Sequence, residues 1–295
     1  MTPTVERDTP RPRRSMLYMP ASNPRALDKA KALPADGLIF DLEDAVEPDA
    51  KPAARIAAVA AANSKGYGRR EILIRANGLD TDWFKDDIAA IARSAADGMV
   101  LPKVNDPRDV RRVDDLLRKG GAPETLALWA MMETPRGIVA AAAIAASTPR
   151  LAGFMIGTAD LAKDLHCAHP ADRAPMLYAL QHCVLAARAH GIFVLDGIHI
   201  DLEDEAGFAA ACRQARALGF DGKTLIHPKQ IATANLAFAP SVDELTHARR
   251  IVAAHAEAAK QGRGVTLLGG RLVENLHVRE AERLMAQAAA ISELN

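Results

Sequence analysis

Short, almost continuously apolar runs recur along the chain, separated by longer alanine-rich stretches with interspersed polar positions. The runs are SMLYMP (15–20), GLIFDLE (37–43), EILIRANG (71–78), GMVLPKV (98–104), LALWAMMET (126–134), GFMIGTAD (153–160), IFVLDGI (192–198) and GKTLIHP (222–228). A strand reads as an unbroken apolar run when both of its faces are covered, as in a parallel sheet. Segments such as 52–64, 83–94 and 206–218 are long enough for crossover helices and end at Gly or polar residues. Eight strands, each followed by a helix, predict an α/β fold, a (β/α)8 TIM barrel over residues 14–240. An open, doubly wound sheet with fewer strands is the alternative.

The chain beyond about Ser241 exceeds what a last barrel helix needs. Residues 241–295 read as helix, short hairpin and helix, with GRGVTLLGG (262–270) supplying the turn, and predict a lid or oligomerisation segment that caps its own barrel or a neighbour's. Residues 1–13 are polar and proline-rich and predict a disordered tail. Nothing in them has the apolar core of a signal peptide or the pattern of an organelle presequence.

Composition narrows the partners. The 295 residues, 49% of them apolar, can bury a large core, and Lys plus Arg equals Asp plus Glu at 37 each. That balance provides no global field for nucleic acid or an anionic membrane surface, so any anion must meet a local site. The longest apolar run, residues 137–146, is half of the ~20 residues a membrane span requires. Cys167, Cys183 and Cys212 are odd in number and lack C-x-x-C spacing, which fits a reducing, cytoplasmic setting.

Candidate chemistry collects where polar residues interrupt the apolar runs. Asp41, Glu43, Arg75, Lys103, Glu133, Asp160, Asp196 and His227 all fall at or just after strand C-terminal ends, the rim where barrel active sites assemble. Glu133 and Asp160 end neighbouring strands and offer two hard oxygen ligands, which suits Mg2+ because that ion keeps several waters; a salt bridge to Arg136 is the competing use of Glu133. Arg75 has the planar fork for a carboxylate or thioester oxygen and could equally bridge to Asp41 or Glu43. Glu43 and Asp44 could accept hydrogen bonds from metal-bound waters or cap the following helix. Arg25 and Lys29, four residues apart on the first helix, could face a phosphate-bearing tail or simply solvent. His199 and His227 lack a second histidine at ligand spacing and read as hydrogen-bonded structural residues. No dinucleotide glycine fingerprint, P-loop or G-x-S-x-G elbow is present.

The segments RSMLYMPASNP, DLEDAV, RANGLD, LPKV, METPRG, GTADL, GFDGKTLIHPKQI and VENLHV occur in this order from about Arg14 to about Ala288. They resemble the citrate lyase β-subunit-like branch of the HpcH/HpaI aldolase superfamily, which includes malyl-CoA lyases, citramalyl-CoA lyases and (3S)-malyl-CoA thioesterases. The resemblance implies a magnesium-dependent barrel enzyme acting on an acyl-CoA, with a C-terminal lid that closes a neighbour's site in a homotrimer or hexamer. It implies that Glu133 and Asp160 hold the metal and that Arg75 binds substrate. Tyr18, Arg25 and Lys29 match positions that contact the acyl-CoA, and Asp196 lies in a segment lining that site. Many lyases of the family carry an aspartate in the lid where this chain has Glu274, which looks more like the thioesterase branch. The expected reaction is reversible carbon–carbon cleavage of a malyl-CoA-type thioester, with Arg75 and Glu274 catalytic. Hydrolysis of (3S)-malyl-CoA to malate and CoA is the alternative, and a citrate lyase β subunit working on a carrier-protein thioester is a second one.

Overall fold

The computed structural model describes residues 11–294. Eight strands, β1 (Ser15–Pro20), β2 (Gly37–Asp41), β3 (Glu71–Arg75), β4 (Gly98–Leu101), β5 (Ala127–Met132), β6 (Leu151–Ile156), β7 (Phe193–Asp196) and β8 (Gly222–Leu225), close into one parallel barrel in sequence order. Every neighbouring pair is parallel, including the closing pair β1 and β8. The TIM barrel expected from the apolar runs is therefore the fold. Most observed strands stop two or three residues short of the apolar runs, because the residues past each end bend outward into the loops of the barrel mouth.

The connections carry α1 (Pro24–Lys29), α2 (Lys51–Asn63), α3 (Phe84–Ile91), α4 (Pro107–Lys119), α5 (Pro135–Val139), α6 (Ala141–Ala145), α7 (Thr158–Asp164), α8 (Leu177–Ala189), α9 (Glu205–Leu218) and α10 (Ile231–Phe238). Local chemistry sets their ends. Asp106 and Asp109 form a capping box ahead of α4 with Pro107 in its first turn, and Gly219 ends α9 at φ 99°, a left-handed conformation that glycine adopts without cost.

Alternation along the strands sorts the core in two. Met16, Ile39, Leu73, Val100, Trp129, Met131, Met155 and Leu195 form a cluster inside the barrel, while their neighbours, such as Leu17, Leu38, Ile74, Ala130, Phe154 and Val194, pack in the larger cluster with the helices. At the N-terminal end the Arg13 guanidinium lies 4.1 Å from the Phe193 ring centroid and 5.3 Å from that of Trp129, and it donates to Glu71. Gly222 has no alternative in this closure, since a Cβ there would lie 1.8 Å from the Arg13 carbonyl oxygen. Residues 1–10 of the expected tail lie outside the described residues. Arg13, assigned to that tail, is buried and ion-paired with Glu71, because its guanidinium closes the barrel.

Residues 239–294 form a separate compact unit. Within it α11 (Val242–Lys260) starts with a Ser241–Glu244 capping box, β9 (Thr266–Leu268) and β10 (Arg271–Val273) pair antiparallel, and α12 (Asn275–Leu294) follows. Gly269 and Gly270, at φ 57° and 78°, make the two-residue hairpin turn, a geometry that needs positive φ at both positions. Among the described residues no helix is long and apolar enough to cross a membrane.

Candidate active site

Period-two alternation decides which polar residues reach the barrel mouth. Tyr18, Asp41, Arg75, Glu133 and Gly157 each stand two residues beyond an inner-cluster residue, namely Met16, Ile39, Leu73, Met131 and Met155. The side chains of the first four therefore stack on top of the inner core and form the floor and walls of one site, in which Gly157 leaves space.

Arg75 is the centre of its charge network. Its Nε and Nη2 donate to the two oxygens of Asp41 at 2.7 and 2.6 Å, a bidentate pair. Asp41 also accepts from the backbone N–H groups of Glu43 and Ala45, so one buried carboxylate fixes the arginine and the loop that follows β2. The remaining nitrogen, Nη1, lies 3.0 Å from Glu43 Oε2 and donates to Asp44 at 3.2 Å. The guanidinium sits 4.7 Å from the Tyr18 ring centroid. Burial holds the Tyr18 phenol protonated well above its ordinary range. Of the uses left open for Arg75, the bridging one is present as ion pairs with both Asp41 and Glu43.

Across the mouth, Glu133 is buried and accepts from the Lys103 N–H at 2.7 Å. Gly157 makes room for it: a Cβ at that position would lie 2.3 Å from Glu133 Oε2. Burial, above all, and the nearby negative charges of Glu43 and Asp160 push the Glu133 carboxyl up to about 7. Burial likewise raises Glu43. Lys103 donates through Nζ to Glu43 Oε1 at 2.6 Å, which joins the Arg75 cluster to the Glu133 side.

A site with this surplus of negative charge around Glu133 fits a divalent cation. Glu133 and the half-buried Asp160, at the start of α7, supply two hard oxygen donors. Among the described residues no group of three or more His, Cys, Asp or Glu is arranged as a metal cage. Two carboxylates suit Mg2+, whose shell water and substrate oxygens would complete.

Other sequence-predicted residues lie elsewhere. Arg25 and Lys29 are exposed on α1. Glu274 is half-buried at the start of α12, in the C-terminal unit, and its N–H donates to Nδ1 of His277. Asp196, expected to line the acyl-CoA site, is out of phase with the inner positions: Leu195 packs inside the barrel, so Asp196 points toward the helix layer. There it is fully buried between Arg173 and Lys223, each at 2.6 Å. His227 caps the turn that follows β8 by accepting from the Lys229 N–H. Lys51, unremarkable in the sequence, is buried and donates to the carbonyls of Leu42 and Glu43 at 2.9 and 2.8 Å, pinning the loop that carries Glu43 and Asp44. No local pattern marks such a lysine, because its acceptors are backbone groups brought near only by folding.

An eight-stranded barrel with an arginine, several carboxylates and a candidate magnesium site at its C-terminal mouth defines the class. Residues 14–228 match the family described as HpcH/HpaI aldolase/citrate lyase, and the chain belongs to that family. A (3S)-malyl-CoA thioesterase from Cereibacter sphaeroides is 48% identical over 95% of this chain and 96% of its own. An L-malyl-CoA/beta-methylmalyl-CoA lyase from the same organism is 37% identical over 96% of both chains. The crystal structure of the protein CitE from Mycobacterium tuberculosis in complex with magnesium, acetoacetate and coenzyme A is 33% identical, with a TM-score of 0.76 over 93% of this chain and 97% of that one. Relatives at this similarity are enzymes of CoA thioesters. The first expectation, carbon–carbon cleavage, is corrected here: the thioesterase relative, at 48%, is much nearer than the lyase at 37%.

Proposed function

We propose that this chain hydrolyses the thioester of (3S)-malyl-CoA to malate and CoA. The observation that carries this reading is the 48% identity, over nearly the whole of both chains, to a (3S)-malyl-CoA thioesterase. The lid glutamate, Glu274, in place of the aspartate of many lyases, is in keeping with it.

Glu133 and Asp160 would hold Mg2+, which when bound supplies Lewis-acid polarisation and a template for the substrate's oxygens. Arg75 presents Nη1 to an oxygen of the acyl group, while Asp41 keeps its other nitrogens fixed and so preorganises the donor. Tyr18, protonated and packed against the guanidinium, covers the floor. Glu43 and Asp44 accept hydrogen bonds from water at the site. Glu274 takes the proton of the attacking water as it adds to the thioester carbonyl, and the CoA thiolate leaves. Arg25 and Lys29 meet the phosphates of CoA. The lid that carries Glu274 closes a neighbour's mouth in a trimer or hexamer.

Incubation of the purified protein with (3S)-malyl-CoA and Mg2+, with free CoA thiol and glyoxylate followed in parallel, tests this reading. Thiol without glyoxylate is the expected result, abolished by a chelator and restored by excess Mg2+. Glyoxylate without thiol would overturn it. Neither product, together with turnover of a carrier-protein thioester, would assign a citrate lyase subunit instead.

A further inference from the structure

Lys103 follows β4 in a left-handed backbone conformation, φ 52°, that side chains other than glycine rarely adopt. Strain of this kind persists where the surroundings demand it and gathers at functional sites. Here the conformation lets one residue make two contacts with two different carboxylates. Its N–H donates to Glu133 Oε1 at 2.7 Å and its ammonium to Glu43 Oε1 at 2.6 Å. The side chain is 46% exposed, so the ammonium stands in the open mouth.

The Glu43 carboxylate is shared unequally. Oε1 is hydrogen-bonded to Lys103, whereas Oε2, although 3.0 Å from Arg75 Nη1, is buried without an aligned hydrogen bond. Nε and Nη2 of Arg75 are committed to Asp41, which leaves Nη1 as the nitrogen that can serve a ligand. Nη1 donates weakly to the Met131 sulfur at 3.7 Å and to Asp44, which is 61% exposed and can be displaced into solvent. A Glu43 free to rotate would satisfy its orphan oxygen on Nη1 and occupy that nitrogen.

We propose that Lys103 is a positioning residue: by holding Glu43 through Oε1 it prevents Glu43 from saturating Arg75, and so keeps Nη1 open to a carboxylate or thioester oxygen of the substrate. The inference rests on the proposed hydrolysis and deepens it.

Three variants test it: Lys103→Met, Lys103→Arg and the double variant Lys103→Met/Glu43→Gln. Each keeps a non-glycine residue at 103, so the cost of the left-handed backbone is common to all three. Loss of one charged hydrogen bond corresponds to about a tenfold change or more. Lys103→Met is expected to raise KM for (3S)-malyl-CoA by about that factor with kcat changed much less, Lys103→Arg to stay near the wild type, and the double variant to recover toward wild-type KM while its kcat falls with the loss of the Glu43 carboxylate. Calorimetric affinity for (S)-malate with Mg2+ should follow the same order and does not require turnover. An unchanged KM and malate affinity in Lys103→Met would overturn the proposal, as would a double variant with a higher KM and weaker malate affinity than the single one. If the wild type releases no thiol, the hydrolysis reading fails by itself, and the malate titrations alone decide the role of Lys103.

Discussion

At the N-terminal end of the barrel, Arg13 is shut in by Glu71 and two aromatic rings, with side-chain exposures of 5% and 3% for the pair. At the C-terminal end Arg75 also has a bidentate carboxylate below it, but above it the network opens through Glu43, at 10%, to Lys103 and Asp44, at 46% and 61%. Among the described residues the first arginine has one carboxylate partner and is dry; the second faces three carboxylates and grades into solvent. The difference shows how one type of ion pair serves closure when charge is balanced in a sealed place, and ligand recognition when it is crowded at an open one.

Substitutions at the two ends should separate these roles. Arg75→Lys keeps the charge but loses the fork, and kcat/KM for thioester hydrolysis should fall by about 100-fold or more, as for removal of a preorganised donor. An activity within a few-fold of wild type would break the comparison. Gly157→Ala should come next: the new Cβ displaces Glu133, and a shift of about 1 Å is worth ~100-fold at most, seen as a loss of kcat with the melting temperature little changed. Glu71→Gln should do the reverse. Breaking a buried pair costs about 3 kcal/mol, which lowers the melting temperature by about 5 °C, while kcat per folded molecule is retained; lost turnover there would mean that the closed end also shapes the site.

The smallest effect concerns the thiols. Burial pushes Cys183 up to about 12 and Cys212 up to about 11. A raised thiol pKa withholds the reactive thiolate until pH approaches the raised value, so between pH 7 and pH 9 neither residue should react with a disulfide reagent in the native protein. Titration of native against denatured protein checks this, and rapid native reaction of more than one thiol would contradict it. The result also sharpens the activity assay, because the enzyme then adds little background to the CoA thiol signal.

Much of the fold was legible because parallel strands buried on both faces leave unbroken apolar runs, and all eight runs became strands. Glu133, Asp160 and Arg75 stood out as charges at the ends of such runs. Asp196 stood out equally and belongs to another environment, since position relative to a strand end says nothing of its phase. Counting in twos from the inner residue Leu195 separates it from Asp41 and Arg75, which lie in step with Ile39 and Leu73.

The sequence by itself determined the strand and helix order, the family, and the stock of carboxylates and arginine at the mouth, because these depend on local periodicity and on motifs contiguous in the chain. Only the tertiary structure decided how that stock is shared. That Asp41 takes two nitrogens of Arg75 and that Lys103 bends into a left-handed turn to meet both Glu133 and Glu43 are contacts among residues 30 to 60 positions apart in sequence. They arise when closure of the barrel brings strand ends to hydrogen-bonding distance, where burial makes each unpaired charge too costly to leave without a partner.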